Sequence, residues 1–294
     1  MNNIITGQQV QQEADQWTEV ITPRSKLFEL RLKEVWRYRD LLVLFVKRDL
    51  AAQYRQTVLG PIWHIIQPVL TAFMFFIVFN RIAGIKTGDI PPAIFYMSSI
   101  AIWNYFSACL TGTSNTFVAN AAIFGKVYFP RLVMPLSIVS SNLIKFAIQL
   151  GLLIIIMIWF ALTENYHISI GLHTLLIPVV LIVMAGMGLG LGIIISSLTT
   201  KYRDLTVLIS FGVGLLMYVT PVAYPLSFVA QSSYRTLILA NPLSSLVEAF
   251  RYAVLGKGIF DPQLFGYSCA FMFITLFAGM VIFGKVEKTF MDTV

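Results

Sequence analysis

Charge is what this sequence has least of. Only 12% of its 294 residues are Asp, Glu, Lys or Arg, whereas 57% are apolar and 14% aromatic. A soluble globule of this length needs a polar covering that so few charged residues cannot supply, so the bilayer is the solvent. Cysteine is nearly absent: Cys109 and Cys269 lie far apart inside apolar runs, where thiols behave as small hydrophobes. They predict neither a disulfide framework nor a metal site. The first 25 residues are polar, with Glu13, Asp15 and Glu19, and lack the basic start, apolar core and small-residue cleavage site of a secretory signal. No cleaved signal is expected.

Catalytic apparatus is missing as well. A P-loop needs glycines whose amides cradle phosphates, then Lys and a Ser or Thr for magnesium. The pairs Gly125-Lys126, Gly256-Lys257 and Gly284-Lys285 are followed by Val127, Gly258 and Val286. The chain is therefore expected to bind no nucleotide or other cofactor and to be no enzyme by itself. A membrane transferase would need convergent acids or a loop histidine, but Asp89, Glu164, Glu248 and Asp261 are scattered and His64, His167 and His173 form no spaced set. A secondary transporter would tend to carry carboxylates within its spans, and none lies between the ends of those described next. No nucleic-acid partner is expected.

What the chain does have is six apolar stretches able to cross about 30 Å of hydrocarbon, at 62–79, 93–110, 135–162, 175–198, 206–224 and 264–283. If the N-terminus is cytoplasmic, the inner segments hold 16 of the 21 Lys and Arg, nine of them before Ile62. Arg81, Lys86, Arg235, Arg251 and Lys257 are left outside, which predicts both termini in the cytoplasm. Lys145, within the third stretch, should either snorkel to the inner headgroups or face a wet channel. Gly186, Gly188, Gly190 and Gly192 form overlapping small-xxx-small pairs, a signal for close helix packing.

Phased at 100° per residue, Phe28, Leu32, Val35, Leu42, Val46 and Leu50 fall within about 40° of one line, and Lys33, Arg37, Arg48 and Arg55 within about 40° of the opposite one. The pattern predicts a helix lying in the headgroup plane, or a solvated amphipathic helix packed on a soluble partner. Arg39 falls on the apolar side, which predicts a break near Arg37-Tyr38-Arg39-Asp40. Gly60-Pro61 suits a sharp corner into the membrane.

Two loops stand out. The inner segment 120–135 carries aromatics that look exposed and two cations, which suits either a groove on another cytoplasmic protein or the membrane interface. A second inner loop, Lys201-Tyr202-Arg203-Asp204, turns the chain in very few residues. On the outer side, 236–240 and 243–255 are apolar and are interrupted by Asn241-Pro242. Pieces of this length read as re-entrant helices, which persist at membrane depth only where protein or a wet cavity shields them, or as a surface hairpin. Glu248 and Arg251 are spaced to pair on one helical face.

Five strings in order, RDL with QYRQTVLGPIW at 48–63, VYFPRLVMPLS at 127–137, YRDL at 202–205, TPVAYP at 220–225 and NPLSSLVEAFRYAVLG at 241–256, carry a resemblance. From about residue 27 onward the chain resembles the permease subunit of ABC-2 type polysaccharide exporters, which move O-antigen, capsule or teichoic acid polymers across the bacterial inner membrane. The resemblance implies an all-α polytopic membrane protein with six transmembrane helices, an N-terminal amphipathic interface helix, and short re-entrant periplasmic gate helices between spans five and six. Residues 1–26 would be a polar tail, 27–60 the interface helix region and 61–294 the transmembrane domain. It implies a homodimer enclosing a polymer channel, bound to two copies of a separate ATPase that holds ATP and magnesium.

Within that resemblance, Ile123, Phe124, Lys126, Val127, Tyr128, Phe129, Pro130 and Arg131 would form the main coupling helix, docked in an ATPase cleft. Tyr202, Arg203 and Asp204 would make a smaller contact. Pro221, Tyr224, Pro225, Asn241, Pro242, Glu248 and Arg251 would belong to the outer gate. For a lipid-linked polysaccharide cargo, Trp63, Phe73, Phe76, Tyr96, Trp103, Tyr105 and Phe106 are candidates for a channel wall, because aromatic faces stack on sugars and tolerate sliding. A lipid-facing aromatic belt is the other reading of those side chains. Arg48 and Arg55, near Trp63, would capture the diphosphate of a lipid carrier or attract ordinary anionic lipid. An ABC-2 exporter of drugs or other small molecules is the alternative function.

Overall fold

The computed structural model describes residues 32–293 apart from 56, 58, 125, 128, 203 and 230–232. The expected polar tail, together with Phe28, Tyr128 and Arg203, lies outside the described residues. All regular structure among the described residues is helical.

Two short helices come first, α1 (Leu32–Arg37) and α2 (Arg39–Tyr54), separated at Tyr38, where φ is −92° and ψ 21°. The break falls where Arg39 interrupts the apolar stripe. Val35 and Phe45 are buried, while Arg37, Lys47 and Arg48 are exposed. The chain then turns at Gly60, whose φ of 48° is one that a side chain would resist. Pro61 stands in the 3₁₀ turn Gly60–Ile62, which runs into α3 (Trp63–Phe75) and on through a π-helical stretch, Phe76–Ile82.

The helices that follow are α4 (Pro92–Ser114), the short α5 (Thr116–Ala119) and α6 (Ala121–Phe124), α7 (Val133–Thr163), α8 (Leu176–Thr199), α9 (Leu205–Val219), α10 (Arg235–Ala240), α11 (Pro242–Leu255) and α12 (Pro262–Thr293). Among the described residues five stretches are long and apolar enough to cross a membrane: Gly60–Ile82, Pro92–Ser114, Val133–Thr163, Leu172–Thr199 and Pro262–Val286. The fifth expected span, 206–224, is not found as one long helix. Its helix, α9, has 15 residues and reaches only about 22 Å. At Thr220 the backbone becomes extended, with φ −90° and ψ 140°. Pro221 is the cause, since proline disfavours helical geometry in the residue before it. The unwound segment from Thr220 to Ala223 is buried.

Helix α4 is built inside out. It is the least apolar of the five spans and carries six Ser and Thr residues and Asn104, yet 78% of its most apolar window is buried, against 17% for the first span. Its hydroxyls are satisfied close to home. Ser98 and Ser99 donate to Phe95 O at 2.9 and 3.0 Å, and Thr111 to Ser107 O at 2.7 Å. The first, third and last spans keep the more continuous apolar surfaces that lipid tolerates.

Helix α8 is wedged between α4 and α12, and its four glycines divide between the two. Gly188 and Gly192 face α4, where a Cβ on Gly188 would fall 2.9 Å from Cys109 Cβ. Gly186 and Gly190 face α12, where a Cβ on Gly190 would lie 2.7 Å from the backbone nitrogen of Leu276. Backbone cannot step aside as a side chain can, so this is the small-xxx-small contact expected from the sequence, used on two faces at once. Gly190→Ala is expected to lower the stability of the purified protein by about 1–3 kcal/mol, as overpacking does. Gly212→Ala, at a position with nothing within 4 Å of the added carbon, should leave the thermal midpoint unchanged in the same fluorescence melt.

Candidate functional site

The end of the structure expected to face outward is organised around Arg251, on α11. Asn241 caps that helix, accepting from Leu243 N at 3.1 Å through Oδ1; Pro242 occupies its first turn, and Gly256 ends it with φ 64°. Along α11 almost every side chain from Leu243 to Leu255 is buried, so the surface-hairpin reading is excluded. Ser245 and Ser268 share a hydrogen bond of 2.6 Å, and Ser268 donates to Pro242 O at 2.7 Å, which fixes α11 to α12.

Arg251 and Glu248 are 1% and 3% exposed and form the expected pair, Nη1 to Oε1 at 2.8 Å. The guanidinium does more than pair. Nη2 donates to Pro221 O at 2.6 Å and to Ser99 Oγ at 2.9 Å, and the carbon of the group stands 4.1 Å from the centre of the Phe95 ring. Glu248 Oε1 also accepts from Leu226 N at 2.9 Å. Asn241 Nδ2 donates to Thr220 Oγ1 at 2.9 Å, and Tyr224 Oη to Tyr218 O at 3.1 Å. After α9, Arg251 and Glu248 thus meet backbone groups of the unwound segment and of the turn that follows it, Asn241 holds the Thr220 hydroxyl, and Tyr224 reaches back to the last turn of α9. Pro225 and Pro242 are half-buried beside them. Sequence reasoning missed Ser99 and Phe95; the density of serines in an otherwise apolar span was the available signal.

At the other end of α4 the chain builds an aromatic seam. Phe117 stacks on Phe283 at 4.6 Å and meets Phe124 at 6.0 Å; Phe124 meets Phe129 at 5.7 Å, and Phe129 meets Phe45 of α2 at 5.6 Å. Phe124 and Phe129 are therefore buried, which corrects the expectation of exposed aromatics in the inner loop. They face the protein because a groove between α2, α12 and the loop is there to receive them. Lys126 and Val127 are exposed, Ile123, Pro130 and Arg131 are half-buried, and Arg131 lies 5.6 Å over the Phe124 ring. The second inner loop begins beside the first, because Thr199 Oγ1 donates to Ser114 O at 3.2 Å and Phe117 N to Ser196 Oγ at 3.2 Å. Its Tyr202 and Asp204 are exposed.

The remaining expected residues separate into two groups. Trp63 and Phe73 are exposed on the first span, and Phe76 is half-exposed with Arg81 5.2 Å over its ring. Tyr96, Trp103, Tyr105 and Phe106 are interior to the protomer, within the main apolar core, and so are not on a channel wall of this protomer. A helix with apolar and aromatic residues all round gives no sequence sign of which face is outward. Arg48 is exposed, bound to Asp49 at 2.7 Å and lying 4.8 Å over Phe45, while Arg55 is exposed at the end of α2. Lys145 is half-buried on α7.

A family model described as ABC-2 type transporter matches residues 40–255, from α2 through the end of α11. The chain belongs to the ABC-2 type transporter family. Among its relatives is the O-antigen export system permease protein RfbA of Myxococcus xanthus, 27% identical over 264 residues, covering 90% of this chain and 98% of that one. The protein of the same name from Klebsiella pneumoniae is 27% identical over 253 residues, covering 86% and 94%. The polysialic acid transport protein KpsM of Escherichia coli is 23% identical over 249 residues, covering 84% and 93%. In this ABC-2 chain the matched region takes in the buried arginine and every ring of the aromatic seam except Phe283.

Removing one partner of a buried, hydrogen-bonded ion pair leaves the other uncompensated and costs about 3–5 kcal/mol. Arg251→Met is accordingly expected to lower the thermal midpoint sharply or to abolish folded yield. Ser99→Ala, which removes the acceptor of two bonds from the guanidinium, should cost about 1–3 kcal/mol. Equal midpoints for wild type and both variants would show that the pair does not hold the outer segment.

Proposed function

We propose that the chain is the membrane subunit of an ATP-driven exporter that moves a lipid-linked polysaccharide from the cytoplasm across the bacterial inner membrane. The observation that carries the reading is that three relatives, matched over most of this chain and nearly all of their own length, are named for the export or transport of polysaccharides, O-antigen and polysialic acid. The chain has no P-loop of its own, so the energy comes from a separate ATPase with ATP and magnesium, two copies serving two copies of this chain. Both termini are cytoplasmic, as the distribution of Lys and Arg favours.

Each part of the structure supports a role in that cycle. The exposed Lys126 and Val127 stand on a loop whose aromatics are anchored in the protomer, which suits a rigid contact with an ATPase better than a floppy one. Tyr202 and Asp204 supply the smaller contact. Helix α9 has only Val213 buried, and a 15-residue helix with an unwound end is poorly suited to lipid, so it and the first span are the surfaces for a second copy and the channel between them. Phe73 and Trp63 are then the aromatics available to a sliding sugar chain. Helices α10 and α11 with the 220–226 segment close the outer end. Arg55, not engaged as Arg48 is with Asp49, is the better placed cation for a diphosphate at the inner headgroup level.

In cells deleted for their own permease, this chain with its ATPase should restore polysaccharide at the surface. Polymer retained in the cytoplasm despite normal subunit levels would remove the polymer reading and leave export of small molecules. In the same cells Lys126→Glu with Val127→Asp should stop export and release the ATPase from the membrane, while leaving the thermal midpoint of the purified permease unchanged. Arg55→Ala should slow export several-fold at normal subunit levels.

A further inference from the structure

Three segments that the functions above leave unused meet around a cavity of about 610 Å³. They are the loop after the first span (80–92), the loop after the third (164–167), and Lys257, just after α11. Alternation of the chain across the membrane puts all three on one side, opposite the inner aromatic seam. The volume is that of pockets which bind small molecules, commonly about 300–1,000 Å³.

The walls are fixed in advance. Gly84, Gly88 and Asn165 hold φ values of 68°, 67° and 52°, so both loops turn in left-handed conformations that Gly and Asn tolerate. Within the first loop Asn80 Nδ2 donates to Ile85 O at 3.1 Å and Thr87 Oγ1 to Ile90 O at 2.8 Å. In the second, Tyr166 N donates to Phe160 O at 3.3 Å. Lys257 joins all three segments: its Nζ donates to Asp89 O at 3.5 Å and stands 5.8 Å over the Tyr166 ring. A lining ordered before a ligand arrives spares the ligand that ordering cost.

Its chemistry is balanced. Asp89 and Glu164 supply carboxylate acceptors, Lys86 and Lys257 ammonium donors, and these formal charges cancel; the lining contains no arginine fork for a phosphate. Ile90 and the two prolines after it give a small apolar surface. Tyr166 is 9% exposed, and its phenol oxygen is buried with no hydrogen-bond partner among the described residues. Burial raises that phenol's pKa and keeps it a protonated donor. That oxygen is closed off from the cavity, so Tyr166 contributes its ring, not its hydroxyl, to the wall. Acceptors and donors of balanced charge beside a small apolar floor match a neutral, polyhydroxylated molecule, whose hydroxyls bind the carboxylates and whose C–H faces meet the prolines.

We propose that this cavity is a saccharide-binding site on the outer face, which holds a short segment of the polymer as it leaves the channel. The inference rests on the export reading. It gives the outer face a role beyond closure, since polymer held there between strokes does not slip back.

The test uses the full-length chain in nanodiscs and short oligosaccharides released from the host strain's own surface polysaccharide and freed of lipid. Saturation-transfer NMR should detect saturable binding, and Asp89→Asn with Glu164→Gln should weaken it by about ten-fold, as loss of a charge-assisted hydrogen bond does. No binding to the wild-type chain, or equal binding to the variant, overturns the site. So does displacement of the sugar by a short-chain zwitterionic phospholipid, which would assign the cavity to lipid headgroups. Export is scored separately in cells: surface polymer without oligosaccharide binding rejects the site alone, whereas absence of surface polymer rejects the export reading.

Discussion

A single dry guanidinium sets the arrangement of one end of this protein. Proline at 221 ends α9 after 15 residues, which leaves the backbone of the buried segment 220–223 without helical partners. Such a segment persists only where other groups meet its hydrogen-bonding needs. Arg251 meets Pro221 O, its partner Glu248 meets Leu226 N, and Asn241 meets the Thr220 hydroxyl. The charges on the pair are in turn affordable in the interior because each compensates the other and Ser99 and Phe95 complete the shell. Helix α11, the unwound segment and the start of α4 consequently form one cooperative unit rather than three loops that meet.

That unit is joined to the opposite end by α4 itself. Ser99, at the guanidinium, and Ser114, bonded to Thr199, lie on one uninterrupted helix. The inner aromatic seam begins immediately after it, at Phe117. A displacement of the inner loop therefore has a stiff connection to the outer segment, with α8 pressed against α4 through glycine contacts that leave no slack. This is a physical link between two ends, and the arginine cluster is the two-ended element whose arrangement such a link could bias.

Local signals were legible wherever a short stretch of sequence decides its own geometry. The break at Tyr38 follows from Arg39 spoiling a stripe, the corner from Gly60, and the Glu248–Arg251 pair from a three-residue spacing. Asn241-Pro242 and Gly256 bracket α11 by ordinary capping chemistry. The two glycine faces of α8 also come directly from spacing. What failed was anything decided by partners distant in the chain. Apolar counting ran straight through Pro221 because hydropathy does not register a missing amide. Phe124, Phe129, Tyr96 and Phe106 could not be assigned a direction, because an apolar side chain suits lipid, core and docking groove equally. Ser99 became meaningful only once an arginine 152 positions away was beside it.

The polar character of α4 has a further consequence, for how the protein is made. A span with six hydroxyl residues and an asparagine is a reluctant occupant of hydrocarbon on its own. Self-bonding of its serines and threonines lowers the cost of its first contact with lipid, but its surface is covered only when α7, α8 and α11 have closed around it. The helix is made second among the five long stretches and meets α11 only late in synthesis. Closure of these later helices around α4 is therefore the step that takes its polar face out of lipid.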